Sequence, residues 1–273
     1  MNYKHCFIIP NFNGANFVGD IIQKCLLETN AKIIVVDDRS NDSSISVIEK
    51  YSVDLVKRQK NGGFAAAVNS GLMEAQRQGF TFATIMNSDV EIPKGFKNDL
   101  KIVLNMLEGN QKIAIAGYKE NGTDRLFVDD KISGFFFTIR LDTIDVVGFL
   151  NEEFFMYGEE TDFFRRILKN DFLIHQTGIE LNHYSEKSNH GGIDNSWYSI
   201  RNSILLEIIH GNFLDVLKVI LVLFLIINKL YNPIGWKNDP SINRIRRPGY
   251  LRGNYFLLKA LLWNFKKIVM TRI

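Results

Sequence analysis

Two common nucleotide-binding signatures are absent from this sequence of 273 residues. The stretch PNFNGANFVG, which completes the first apolar run, has glycines only at positions 14 and 19, so the G-x-G-x-x-G spacing of dinucleotide folds fails. No G-x-x-x-x-G-K-[ST] loop occurs, and hydride transfer and ATP hydrolysis lose their usual phosphate grips. Cysteine is scarce. Cys6 and Cys25 lie in a strand-like and a helix-like pattern, without metal-site spacing or the density of a disulfide scaffold. A reducing, cytosolic setting is the expectation. At the N-terminus no basic segment leads into an apolar run with a small-residue cleavage site, so no secretion signal is expected. The apolar run VILVLFLII, residues 219–227, is nine residues long, whereas a membrane span takes roughly twenty.

What is present is ample apolar material, 46% of residues, enough for one large core or for a domain with an appendage. The net charge of +3 hides an asymmetry: from Lys229 onward ten Lys and Arg face one acid, Asp239, so residues 1–228 carry about minus six. HCFIIP, AKIIVVDD, VDLVKR and FTFATIM read as strands, and ANFVGDIIQKCLLET, SNDSSISVIEKYS and GFAAAVNSGLMEAQRQG as the helices between them. IAIAGY, ISGFFFTIR and IDVVGFL read as further strands or short helices. The alternation predicts an α/β fold whose mostly parallel sheet is covered by helices on both faces. Ligands of such sheets bind beyond the carboxyl ends of the strands. Here those ends read PNFNG, DDRSND, QKNGGFAAAVN and NSD, all rich in Asp, Asn and Gly. Four such turns along one edge point to a site.

Two acidic features stand out. FTFATIM leads into Asn87-Ser88-Asp89, where an Asp is ordinarily a turn or helix-capping residue. NEEFFMYGEETDFFRRILKNDF opens a helix on Glu159, Glu160 and Asp162; compensation of the helix dipole is the plainer account, and three crowded carboxylates should raise one another's pKa. The last segment, YFLLKALLWNFKKIVM, combines a wide apolar arc with Lys259, Lys266 and Lys267, which suits a helix lying in an anionic membrane surface. Packing on the body or on a partner subunit is the alternative. Interleaved apolar stretches argue against nucleic acid as a partner.

In order, IIPNFNG, IIVVDDRSNDSS, NGGFAAAVNSG, IMNSDVEIP, GFLNEEFFMYGEETDFFRR and NHYSEKS followed by WYSIRN resemble the family 2 glycosyltransferases, inverting enzymes of the glycosyltransferase A-type fold. The resemblance covers residues 5 to about 202 and leans toward rhamnosyltransferase-like members. It implies a Rossmann-like nucleotide-binding half with a helical C-terminal extension beyond the sheet. It also implies that Pro10, Asn11, Asn13, Asp37, Asp38, Asn61, Gly63, Asn69 and Asn87 hold the nucleotide, Asp38 by accepting hydrogen bonds from base or ribose. The alanines beside Asn69 also fit plain helix packing. Where the family has D-x-D, the sequence has Asn87-Ser88-Asp89, so the resemblance makes Asp89 a ligand of a divalent metal, Mn2+ or Mg2+, that bridges the donor's phosphates. With one carboxylate and one amide there, metal binding should be weak without nucleotide. His183 resembles the family histidine that closes this site, and an imidazole ligand favours manganese; His175 and His190 are weaker candidates.

The same resemblance makes Glu160 the base that takes the acceptor hydroxyl's proton, with Glu159 and Asp162 as rivals. His183 or Arg201 would add positive charge against the departing diphosphate. Trp197 and Tyr198 would stack on a sugar, Arg201 and Asn202 would sit at the acceptor or diphosphate end, and Ser133-Gly134 would line the acceptor floor. A core helix is the plainer account of WYSIRN. The expected activity is metal-dependent transfer from dTDP-rhamnose or a UDP-hexose to a glycan acceptor, lipid-linked, in cell-surface polysaccharide synthesis. The expected place is cytoplasmic, peripheral at the inner face of the cell membrane, with a homodimer left open. Residues 1–211 would form the catalytic domain, split at 110 into nucleotide and acceptor halves, and 212–273 a basic amphipathic tail. A sugar nucleotidyltransferase is the rival enzyme, but PNFNGANF lacks the basic residues that would hold a triphosphate. A degenerate binding subunit is the rival outside enzymes, with Asn87 and Glu160 as its signs.

Overall fold

The structure, a computed structural model, describes residues 4–121, 134–184, 195–230 and 244–271. The chain divides into two compact units, Met1–Phe155 with Glu159–Gly191, and Met156–Gly158 with Gly192–Ile273.

The strands of the first unit are β1 (His5–Asn11), β2 (Lys32–Asp37), β3 (Asp54–Lys57), β4 (Phe82–Met86), β5 (Ile113–Glu120), β6 (Phe136–Arg140) and β7 (Leu173–Leu181). Its helices are α1 (Val18–Thr29), α2 (Ser44–Ile48), α3 (Gly63–Arg77), α4 (Phe96–Gly109), α5 (Thr143–Val147) and α6 (Glu159–Lys169). The sheet order is β3-β2-β1-β4-β6-β5-β7. Every pairing is parallel except those of β6, which runs against both β4 and β5. Residues 134–135, before β6, therefore lie at the sheet edge where β4 and β5 end.

Successive strand side chains point to opposite faces, so a doubly covered sheet needs apolar runs without polar breaks. Phe7, Ile9, Ile33 and Val35 face one core with α1, α2 and α4. Their neighbours Cys6, Ile8, Ile34 and Val36 face the other with α3, α5 and α6. One expected element changes. The helix read over SNDSSISVIEKYS shrinks to Ser44–Ile48, because Asp42 holds the turn ahead of it, accepting the N–H of Ser44 at 2.9 Å and of Ala15 at 3.1 Å. IDVVGFL supplies the short helix α5.

The second unit contains α7 (Asn195–His210), α8 (Phe213–Ile227) and α9 (Gly249–Thr271). Ile200 and Ile204 of α7 share a core with Leu223, Ile226 and Ile227 of α8 and with Phe256 and Leu257 of α9. The expected boundary at 211 therefore moves upstream, since the apolar face of α7 is buried with the tail helices. A capping box formed by Asn212 and Asp215 starts α8. No helix among the described residues is long and apolar enough to cross a membrane.

Helix α3 lies close on the sheet: a Cβ at Gly71 would stand 2.4 Å from Ile8 Cγ2 and 3.2 Å from Val36 Cγ2. Gly71→Ala should destabilise the protein by about 1–3 kcal/mol in urea unfolding, because overpacking outweighs the roughly 1 kcal/mol that alanine adds to an exposed helix. A gain in stability would show that α3 moves outward at little cost.

Candidate active site

The ends of β1, β2 and β4 carry the polar residues of the sheet edge. Asn11, the last residue of β1, donates from Nδ2 to Asp37 Oδ1 at 3.0 Å and to Ser40 Oγ at 3.2 Å. Ser40 N–H returns to Asp37 Oδ2 at 3.0 Å, and Asn13 N–H reaches Ser40 Oγ at 2.9 Å. Asp38 is more heavily committed. It accepts from Arg58 Nε at 2.7 Å and from the N–H groups of Gly62 and Gly63, the latter at 2.8 Å. Burial raises its carboxyl above the ordinary range, with these donors pulling the other way. Asn61 accepts from Gly63 N–H at 3.0 Å. The Asp38 carboxylate thus ties the loop of residues 58–63 to the end of β2. Pro10 lies one residue ahead of Asn11, partly exposed.

Beyond β4, Asn87 N–H bonds Phe135 O at 2.9 Å, and Asp89 O accepts from Tyr184 N–H at 2.9 Å. A one-residue antiparallel bridge, Val90 to His183, brings the segment after β7 alongside. The His183 ring stands between two buried carboxylates: Nε2 is 3.1 Å from Asp89 Oδ1 and Nδ1 is 3.1 Å from Glu120 Oε1. Asn87 Nδ2 is 3.4 Å from the same Nε2. Phe135 stacks on the ring with centroids 4.9 Å apart. Burial disfavours the imidazolium, but the two carboxylates outweigh it and push the His183 pKa up to about 9. Among the described residues no group of three or more His, Cys, Asp or Glu side chains can hold a metal ion. Asp89 and His183 offer two donors, which fits a cation that takes its remaining ligands from a diphosphate and water.

The acidic start of α6 sorts its three carboxylates by surroundings. Asp162 is buried and accepts Arg166 Nε at 3.0 Å and Nη2 at 2.8 Å; Arg166 also donates to Phe149 O at 2.9 Å and to Val147 O. Glu159 is buried with no hydrogen-bond partner at Oε2, and burial, then the charge of Glu160, raise it well above the carboxylate range. Glu160 is partly exposed, and its side chain lies on Gly134, where a Cβ would stand 2.8 Å from Glu160 Cγ. Gly134 and Phe135 are consecutive. One therefore receives Glu160 while the other stacks on His183, beside Asp89.

Residues 6–169 match the family described as glycosyl transferase family 2. The chain belongs to that family. An uncharacterized glycosyltransferase of Rickettsia prowazekii is 33% identical over 115 residues, which cover 41% of this chain and 35% of that one. The chain thus spans about a third of that relative's length. A cholesterol galactosyltransferase of Borreliella burgdorferi is 38% identical over 80 residues, 27% of this chain and 22% of that one. Among solved structures, glucosyl-3-phosphoglycerate synthase of Mycobacterium tuberculosis, in complex with Mn2+, UDP-glucose and phosphoglyceric acid, shares the fold at 13% identity with a TM-score of 0.56, over 76% of this chain and 79% of that one. The same enzyme has been solved with Mg2+ and UDP, likewise at a TM-score of 0.56. The fold is accordingly the A-type fold of the family.

Not every expected site residue of this family 2 member lies free at the sheet edge. Asn69 is buried on α3, donating from Nδ2 to Leu150 O at 2.9 Å and to Glu152 Oε1 at 3.0 Å while its Oδ1 accepts Leu150 N–H at 3.0 Å. Its amide clamps the 150–152 segment, so the expected nucleotide contact is replaced by a structural one. Trp197, Tyr198, Arg201 and Asn202 belong to the helical unit. There the Arg201 guanidinium lies between the rings of Tyr198 at 5.0 Å and Trp263 at 4.5 Å, and Asn202 Nδ2 bonds the carbonyls of Met156 and Tyr157. Trp197 meets Phe256 edge to face at 6.2 Å. Ser133 and His190 lie outside the described residues. Sequence reasoning missed Glu120, Phe135, Arg58 and Arg166. Glu120 ends β5, so extending the survey of strand ends to the fifth strand would have found it.

Two outcomes follow from this geometry. The His183 pKa lies above its ordinary value of 6.5, so the associated stability is fully present below about pH 6.5 and is lost as pH rises through about 9. Urea unfolding should register a loss of up to about 3 kcal/mol between pH 6.5 and 9.5, a slope that His183→Gln flattens; parallel curves for both proteins would refute the assignment. Gly134→Ala should push the Glu160 side chain off residue 134 and cost about 1–3 kcal/mol in urea unfolding; an unchanged unfolding curve would show that Glu160 gives way freely.

Proposed function

We propose that this chain is an inverting glycosyltransferase that moves a sugar from a nucleotide-diphosphate donor to a hydroxyl of a glycan acceptor. The observation that carries the reading is the Gly134-Phe135 step, which holds Glu160 against one residue and the His183–Asp89 pair against the next. Glu160 is the base. Asp162 is paired with Arg166, and burial disfavours the charged form of Glu159, which leaves the partly exposed Glu160 to take the acceptor proton. Asn11, Asn13, Asp37, Asp38, Asn61 and Gly63 shape the nucleotide cradle beside Pro10; with Arg58 already bound to its carboxylate, Asp38 acts through its remaining acceptor capacity and by fixing the loop of residues 58–63.

Asp89 and His183, with the Asn87 amide beside them, are the residues that would hold a Mn2+ or Mg2+ ion. Such an ion, when bound, neutralises charge that builds on the departing diphosphate. The imidazolium of His183 must give up its Nε2 proton to act as a ligand, so metal affinity should tighten with pH. The glucosyl and galactosyl names of the relatives put UDP-hexoses first among donors to test and dTDP-rhamnose next. A lipid-linked acceptor at the inner face of the cell membrane completes the reading.

The test is a panel of UDP- and dTDP-sugars with manganese, followed by release of nucleoside diphosphate. Glu160→Gln should reduce transfer at least about 100-fold while the nucleotide still raises the melting temperature. Full activity in that variant would move the base elsewhere, and no turnover of any sugar by the unaltered protein would end the transferase reading in favour of a binding subunit.

A further inference from the structure

Helix α9 has two apolar faces. Gly253, Phe256, Leu257, Ala260 and Asn264 are buried, and Phe256, Leu257 and Ala260 belong to the core that α9 shares with α7 and α8. On the opposite side Leu251, Tyr255, Leu258, Leu262, Phe265 and Val269 follow one another at steps of four and three residues, which makes one straight stripe along the helix. All six are exposed, from 43% at Val269 to 81% at Leu251. A helix packed on one side ordinarily turns polar residues outward on the other. Here the outward side is apolar for about 27 Å at 1.5 Å per residue.

The charges flanking this stripe say what covers it. Arg252, Lys259 and Lys266 are exposed and recur every seven residues along one edge of the stripe, with the Arg252 guanidinium 5.3 Å from the Phe256 ring and Lys259 Nζ 4.7 Å from the Trp197 ring. The helix contains no Asp or Glu at all. A second copy of α9 laid on the stripe would bring a row of cations toward another such row or toward apolar surface, whereas a sheet of lipid phosphates complements it. α8 exposes a comparable stripe, Leu214, Leu217, Leu221 and Phe224, but Asp215 neighbours it together with Lys218, so the same charge argument does not select it.

We propose that the outward stripe of α9 is a docking face for an anionic lipid surface, with the six apolar side chains at the acyl boundary and Arg252, Lys259 and Lys266 at the headgroup phosphates. The helix lies along the surface, since it is not apolar enough to cross one. This deepens the peripheral location proposed above. It is independent of the transfer chemistry, because lipid binding is read without donor or acceptor.

The full chain would be sedimented with vesicles of phosphatidylcholine alone and with vesicles containing about one-third phosphatidylglycerol. The expected result is at least about tenfold stronger partition onto the anionic vesicles, weakened by salt. The triple variant Leu258→Gln/Leu262→Gln/Phe265→Gln changes only exposed side chains and should lose at least about tenfold in partition. Arg252→Gln/Lys259→Gln/Lys266→Gln should lose the difference between the two lipid compositions. Circular dichroism melting checks that both variants stay folded, and light scattering follows the oligomeric state. Equal partition onto both vesicle types, or a stripe variant that binds vesicles normally, overturns the proposal. A stripe variant that instead turns a dimer into a monomer assigns the face to a second copy. Sugar transfer to a soluble acceptor is assayed without vesicles, so the two readings fail separately.

Discussion

Because β6 runs antiparallel between β4 and β5, the chain just before it reaches the edge at which β4 and β5 end. That reversal puts two consecutive residues, Gly134 and Phe135, among side chains delivered by α6, β4, β5 and the segment after β7. Glycine leaves the space that Glu160 occupies, and the phenylalanine ring stacks on His183. Phe135 O also takes the N–H of Asn87, so the backbone of the same step holds the turn that carries Asp89. A parallel strand in the sixth position would bring its carboxyl end here and carry residues 134–135 to the far edge. The candidate chemistry therefore rests on one strand direction.

Around that step, side chains of one chemical type do different work because their neighbours differ. Asp38 and Asp162 are each held by an arginine, Arg58 and Arg166, and in that state they fasten loops to the sheet and to α6. Both arginines spend further hydrogens on backbone carbonyls, Ala66 O for Arg58 and Phe149 O for Arg166, so each pair is a junction of several segments. Glu159 is buried with no cation in hydrogen-bond contact at Oε2 and shifts toward its neutral form. Buried pairs of this kind cost desolvation, which the further hydrogen bonds of both arginines offset. His183 shows the opposite case, a buried imidazole kept charged because carboxylates stand at both ring nitrogens. Both ring nitrogens of His183 are thereby committed to carboxylate partners.

The helical unit obeys a different rule. Its core is aliphatic and aromatic, and the arginine and asparagine of WYSIRN are absorbed into it by ring faces and backbone carbonyls. The apolar content of α8 and α9 exceeds what that core consumes, which is why both helices keep outward apolar stripes.

Much of the first unit was legible in the sequence. Apolar runs of strand length, helical spacing between them and polar strand ends are local patterns, set within a few residues by which faces must be buried, and they predicted the parallel portion of the sheet and its edge. The ordered motifs identified the family. The boundary near 211 and the role of Asn69 were not legible. Asn69 meets Leu150 and Glu152, 81 and 83 residues away, and His183 meets Glu120 at a distance of 63. Nothing in the periodicity of α3 or β5 encodes those partners. A single sequence determines which residues seek burial and which strand ends are polar; only tertiary register decides which polar group finds which, because a hydrogen bond made across the sheet depends on the alignment of segments that have no local contact with each other.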